Sequence, residues 1–249
     1  MIRLPPRPVR DSACRISTPG DEDPCKHFAH RIANHPLART DHPTQCTRMV
    51  SRRQPETEIL IYIDGSCLNQ NSKNDTRSRR TGCAVVYGTT TPSGQRTTHP
   101  SGISFRLEHR GCDGRYYVAT SNRAELRAAT AALECRLWGT EGWSCATIAT
   151  DSTYVVEGIT DWVVKWKAQQ WTKRTGEDVA NRDLWERLLY LVNEQARNGC
   201  QVRFWHINRA FNDQADRWAK RGADQPEADG YSVINLEESQ GGYRPYILD

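Results

Sequence analysis

Five consecutive β-favouring residues, Ile59-Leu60-Ile61-Tyr62-Ile63, constrain the fold of this chain more than any other feature. The run has no polar position, so neither side of the strand can face water. Such a strand belongs to a sheet covered on both faces. The sequence supplies the helices this requires. Residues 121–138 carry Leu126, Thr130, Leu133 and Leu137 at three- and four-residue steps, the period of one helix face. A second helical stretch covers about 153–169. A third covers 182–197, with Leu184, Leu188, Leu191 and Val192 on one side and Gly199 as its stop, and a fourth covers 212–223. Further strands are expected at 83–87, 103–107, 147–150 and 201–207, with Tyr116-Tyr117-Val118 as an additional candidate. The order β-β-β-α-β-α-α-β-α predicts an α/β fold: a five-stranded mixed sheet, opened by an antiparallel meander and flanked by helices.

Only part of the chain fits this pattern. A mean hydropathy of -0.75 with 37% hydrophobic residues is polar for a globule, so some of the chain should lie outside the core. Residues 1–57 are rich in Pro, His, Arg and Ser and read as a disordered basic leader. Their ten basic and six acidic residues account for the whole net charge of +4, leaving the rest neutral. Cys25, His27, His30, His35, His42 and Cys46 fall in this leader, but their spacing matches no familiar zinc finger. Residues 58–225 form the expected domain, and 226–249 a polar tail.

Nine cysteines without a CxxC pair predict free thiols in a reducing compartment. An intracellular protein of nucleus or cytoplasm is expected. Arg3, Arg7, Arg10 and Arg15 keep a mitochondrial presequence open, although Asp11 and Pro5, Pro6 and Pro8 oppose it. No apolar run approaches the roughly 18 residues of a membrane span, so no membrane association and a monomer are expected.

The acidic residues carry the functional signal. Asp64 follows the first apolar run, in Ile63-Asp64-Gly65-Ser66-Cys67, and Asp151 follows the fourth, in Ala149-Thr150-Asp151-Ser152. Ligands of α/β sheets bind at the carboxyl ends of strands, where neighbouring strands bring such groups together. Glu125 sits early on the first long helix and Asp216 on the last, three residues after Asp213. Clustered carboxylates need cations, and hard oxygen donors suit Mg²⁺. Each residue alone also has an ordinary reading: Asp64 or Asp151 as a turn residue, Glu125 as a helix N-terminal charge, Asp216 on a solvated face.

Five ordered motifs remove much of that ambiguity. They are Ile63 to Cys67, Thr120-Ser121-Asn122-Arg123-Ala124-Glu125-Leu126, Thr150-Asp151-Ser152-Thr153-Tyr154-Val155, Asn181-Arg182-Asp183-Leu184-Trp185, and Trp205-His206 through Asn212-Asp213-Gln214-Ala215-Asp216. Across residues 59–223 the chain resembles the type 1 ribonuclease H family, with its RNase H-like fold. The resemblance implies an endonuclease that hydrolyses the RNA strand of RNA–DNA hybrids with two Mg²⁺ ions, Mn²⁺ substituting. It implies that Asp64, Glu125, Asp151 and Asp216 hold the metal and that His206 assists proton transfer or product release. A strand-end histidine satisfied by backbone is the alternative for His206.

For the substrate, the resemblance assigns RNA reading to the turns Gly65-Ser66-Cys67 and Asp151-Ser152-Thr153, and to Asn122. Thr120, Arg123 and Asn181 would meet the DNA phosphates. A basic handle would grip the DNA strand through Lys165 and Lys167, with Trp171 stacking on a sugar and Trp162 and Trp166 as packing supports. Phosphate contacts position without reading bases, so little sequence specificity is expected. Where the family has glycines after the histidine, this chain has Ile207 and Asn208, which predicts a stiffer loop. A catalytically silent hybrid- or RNA-binding module on the same fold is the competing expectation, because fold alone does not grant activity.

Overall fold

The computed structural model describes residues 49–50, 57–68, 79–87, 102–236 and 246–248. Expectations for the rest of the leader lie outside the described residues.

The strands are β1 (Met49–Val50), β2 (Thr57–Leu68), β3 (Arg80–Tyr87), β4 (Gly102–Arg106), β5 (Cys145–Thr150), β6 (Gln201–His206) and β7 (Tyr246–Leu248). The sheet order is β6-β5-β2-β3-β4-β7, with β1 also pairing β2. The five strands expected from the sequence form its body. β2, β3 and β4 make the antiparallel meander, and β5 and β6 run parallel to β2.

The helices are α1 (Ser121–Glu134), α2 (Thr153–Glu157), α3 (Val163–Ala168), α4 (Arg182–Arg197) and α5 (Asp213–Ala223). Alternate residues of β2 serve two faces of the sheet. Ile59, Ile61 and Ile63 join the main core, which α1 and α4 cover. Leu60 packs instead with Ala149, Trp205 and Ile207, and Val86 with Ala215 of α5. Each buried aliphatic side chain contributes roughly 1.5–3 kcal/mol. Glycine decides how closely α5 can lie: a Cβ on Gly82 would stand 2.1 Å from the Ala223 nitrogen and 2.3 Å from the Ala219 oxygen.

Several expectations are corrected. The helix expected over 153–169 is interrupted by a π-helical turn, Gly158–Trp162. Trp185 fills the space beside it, since a Cβ on Gly158 would meet that indole at 2.2 Å. Tyr116-Tyr117-Val118 forms no strand beyond an isolated bridge, Arg110↔Tyr116. There Tyr117 turns inward to cover the Arg123 guanidinium at 3.7 Å. The first helix ends at Glu134, leaving Leu137 exposed.

The domain boundaries also move. β1 lies within the segment read as leader and pairs with β2. Residues 231–234, within the segment read as a polar tail, close over α1. The Arg127 guanidinium donates to the Ser232 carbonyl at 2.8 Å and Tyr231 bonds Glu134 at 2.6 Å, while Ile234 is buried. Arg127 itself is paired with Glu108 and Glu134 beneath this segment. Further on, β7 pairs with β4.

Candidate active site

β2 and β5 pair in parallel up to Tyr62↔Ala149. Two residues beyond that pair stand Asp64, on the face of β2 that carries Leu60, and Asp151, just after the end of β5. Asp64 does not end its strand, as the sequence suggested. β2 leaves β5 there and continues along β3 to Leu68. Gly65, Ser66 and Cys67 are therefore strand residues paired with Cys83, Gly82 and Thr81, not a turn, and Ser66 is buried.

Gly65 brings the second element in. A Cβ there would lie 2.2 Å from the Glu125 backbone nitrogen, so only glycine lets the start of α1 cross β2 at this point. Glu125 thereby reaches the end of the sheet, where the Ser152 hydroxyl donates to its carboxylate. Ser152 also caps α2 by accepting from the Val155 nitrogen at 3.2 Å.

The fourth element arrives through Asn212. Its side-chain amide donates to the Ile63 carbonyl at 3.0 Å and to Asp151 at 2.7 Å, tying the start of α5 to both strands. Its own Oδ1 is buried without a hydrogen-bond partner. Asp216, one turn into α5, bonds Lys220 at 2.5 Å. The guanidinium of Arg209 spans Asp151 at 3.6 Å and Asp216 at 3.2 Å.

The electrostatics report convergence. Asp64 is 8% exposed, and burial is the largest cause raising its pKa to about 7; the charges of Asp151, Glu125 and Asp216 add to the shift. Burial also raises the Glu125 carboxyl, with Asp151 reinforcing the shift and the Ser152 bond opposing it. Among the described residues, no three acidic, histidine or cysteine side chains are gathered closely enough to form a ready coordination shell. Asp151 and Asp216 are neutralised in part by Arg209 and Lys220.

His206 ends β6, opposite Thr150, and is exposed with its Nε2 3.3 Å from the Thr153 hydroxyl. Asp213 is exposed and paired with Arg217 at 3.1 Å. Asn122 and Thr153 are exposed.

Two expected substrate contacts are overturned. Arg123 is 2% exposed and grips Asp183 with both terminal nitrogens, at 2.9 and 2.8 Å. It is a structural cation. It also bonds Asn181, whose own amide donates to Tyr154 at 3.2 Å. Trp171 is 7% exposed and lies within the core, so it offers no stacking face. Thr120 is occupied as the N-cap of α1. Lys165 and Lys167 remain exposed on α3, Lys165 pairing with Asp161 at 2.6 Å. Trp162 and Trp166 pack with Tyr154 and Trp185 as supports.

Asn212 and Arg209 had no assigned role from sequence. The available signal for Asn212 was its place within the fifth motif, just before Asp213; for Arg209 there was none.

Comparison with known proteins gives the family. The RNase H family model matches residues 56–224. A ribonuclease H of Yersinia pestis (strain Pestoides F) is 30% identical over 177 residues, covering 70% of this chain and 97% of that protein. The ribonuclease H of Yersinia pseudotuberculosis serotype I (strain IP32953) matches to the same extent. Among solved structures, LC9-RNase H1 is 24% identical over 68% of this chain and 74% of its own, with a TM-score of 0.48. With its family model matched across residues 56–224, the chain belongs to the RNase H family of nucleases.

Proposed function

We propose that the chain is a type 1 ribonuclease H that hydrolyses the RNA strand of RNA–DNA hybrids, with little base preference, using two Mg²⁺ ions for which Mn²⁺ substitutes. The observation that carries this reading is the buried Asp64, coupled to Asp151, Glu125 and Asp216 from three other elements. These residues fit a hard divalent cation: every donor is oxygen, and the buried Asn212 Oδ1 is a further oxygen without a partner. Asp64, Glu125, Asp151 and Asp216 would hold the ions, which when bound activate water and stabilise the leaving oxygen.

The chain's own residues supply the rest. Asn212 fixes Asp151 and Ser152 fixes Glu125, so the two carboxylates are oriented before substrate arrives. His206, exposed at the end of β6, would take or give a proton at Nε2. In the reaction a water oxygen–phosphorus bond forms and the phosphorus–O3′ bond breaks. The water's proton ends on the leaving 3′-oxygen, giving 5′-phosphate and 3′-hydroxyl ends. Asn122 and Thr153 offer polar side chains to the 2′-hydroxyls that mark RNA, and Lys165 and Lys167 offer charge to the DNA phosphates.

The test is incubation of the protein with labelled RNA–DNA hybrid, double-stranded RNA and double-stranded DNA, each with Mg²⁺ or EDTA. Hybrid-only cleavage that disappears with EDTA and in Asp151→Asn is expected. Hybrid binding without cleavage, in either Mg²⁺ or Mn²⁺, would overturn it in favour of a silent binding module.

A further inference from the structure

Arg209 is the basic side chain that bridges two of the four carboxylates. It sits on a single 3-10 turn, Arg209–Phe211, between β6 and α5. That turn is built to hold its place. The Asn208 side chain accepts from the Ala210 nitrogen at 3.0 Å, Ile207 is buried, and Phe211 packs against the same cluster. The backbone beneath Arg209 is thus anchored, while its side chain is 76% exposed. Its two terminal nitrogens address two elements: Asp151 after β5 at 3.6 Å and Asp216 on α5 at 3.2 Å. Lys220 also neutralises Asp216, but from one turn along the same helix, and bridges nothing.

We propose that Arg209 is a positioning residue of the cation site: a resident counter-cation that holds Asp151 and Asp216 together until divalent ions displace it. The proposal rests on reading these carboxylates as the metal holders. A planar guanidinium satisfies two carboxylates at once through separate N–H groups. As a single, largely hydrated charge it holds them only weakly, so a divalent ion can replace it at small cost. The stability it gives the ion-free protein is then the same free energy that incoming ions must overcome.

This linkage makes the test quantitative. Mn²⁺ alone is titrated calorimetrically into the full-length wild type, Arg209→Ala, Arg209→Lys and Lys220→Ala, and each is melted in EDTA and in saturating Mn²⁺. Arg209→Ala is expected to melt lower in EDTA, to melt with the wild type in Mn²⁺, and to bind Mn²⁺ about fivefold tighter, as befits exposed ion pairs. Arg209→Lys keeps the charge but not the bridge and falls between. Lys220→Ala shifts affinity less than Arg209→Ala. Unchanged or weaker Mn²⁺ binding in Arg209→Ala overturns the proposal, as does an equal effect of Lys220→Ala, which would mark a general charge effect. If hybrid cleavage is intact in those cases, the nuclease reading survives. No Mn²⁺ binding in any protein, together with no cleavage, overturns both.

Discussion

Asn212 donates its side-chain amide to the Asp151 carboxylate at 2.7 Å, and the same nitrogen reaches the Ile63 carbonyl at 3.0 Å. One side chain thus ties the middle of β2, the residue after β5 and the start of α5 together. Asn212→Ala should leave a buried carbonyl without a donor and release Asp151. The expected cost is about 1–3 kcal/mol in urea unfolding, with hybrid cleavage down at least tenfold from misplacement of one carboxylate. Loss of stability without loss of cleavage would show that Asp151 needs no such support.

Asp64 gives a pH dependence of definite sign. Its pKa rises from 3.8 to about 7 on folding, first through burial and then through Asp151. The folded state therefore holds a proton that the unfolded chain has lost between those values, and stability falls as pH rises through that window. Above pH 7 the destabilisation is complete, on the order of 2–4 kcal/mol. In EDTA, Asp64→Asn should match the wild type near pH 4 and exceed it at pH 8. A difference that does not change with pH in paired urea titrations would refute this origin.

Lys165 and Lys167 are exposed on α3, whereas Trp171 is buried. Replacing both lysines by alanine should flatten the salt dependence of hybrid binding by about one to two counterions. Binding is measured in an Asp151→Asn background so that no substrate is consumed. Trp171→Ala should instead cost about 3 kcal/mol or more in stability. Equal effects of the two changes on the salt slope would be inconsistent with this division.

Truncation after Gln225 removes Tyr231, Ser232 and Ile234 from over α1 and exposes the Arg127 guanidinium. A loss of about 3–5 kcal/mol is expected, since a buried ion network loses its cover. Thermal melting of the truncated and full chains decides it.

By itself, the sequence determined the order of strands and helices and the candidate carboxylates. Local periodicity reports which side of an element is buried: the unbroken run at 59–63 required both faces of β2 to be covered, and Ile61 and Leu60 lie on opposite sides. The tertiary structure alone decided who meets whom. Arg123 looked like a phosphate contact until Asp183, sixty residues away, closed on it. Residues 231–234 have no period of their own because their place comes from Arg127 and Glu134 beneath them. Asn212 and Arg209 gained their places in the same way, from carboxylates on β5 and α5. A residue's own neighbourhood in sequence sets its secondary structure, but the partner of a charged or amide side chain is chosen in space, across loops that carry no record of the pairing.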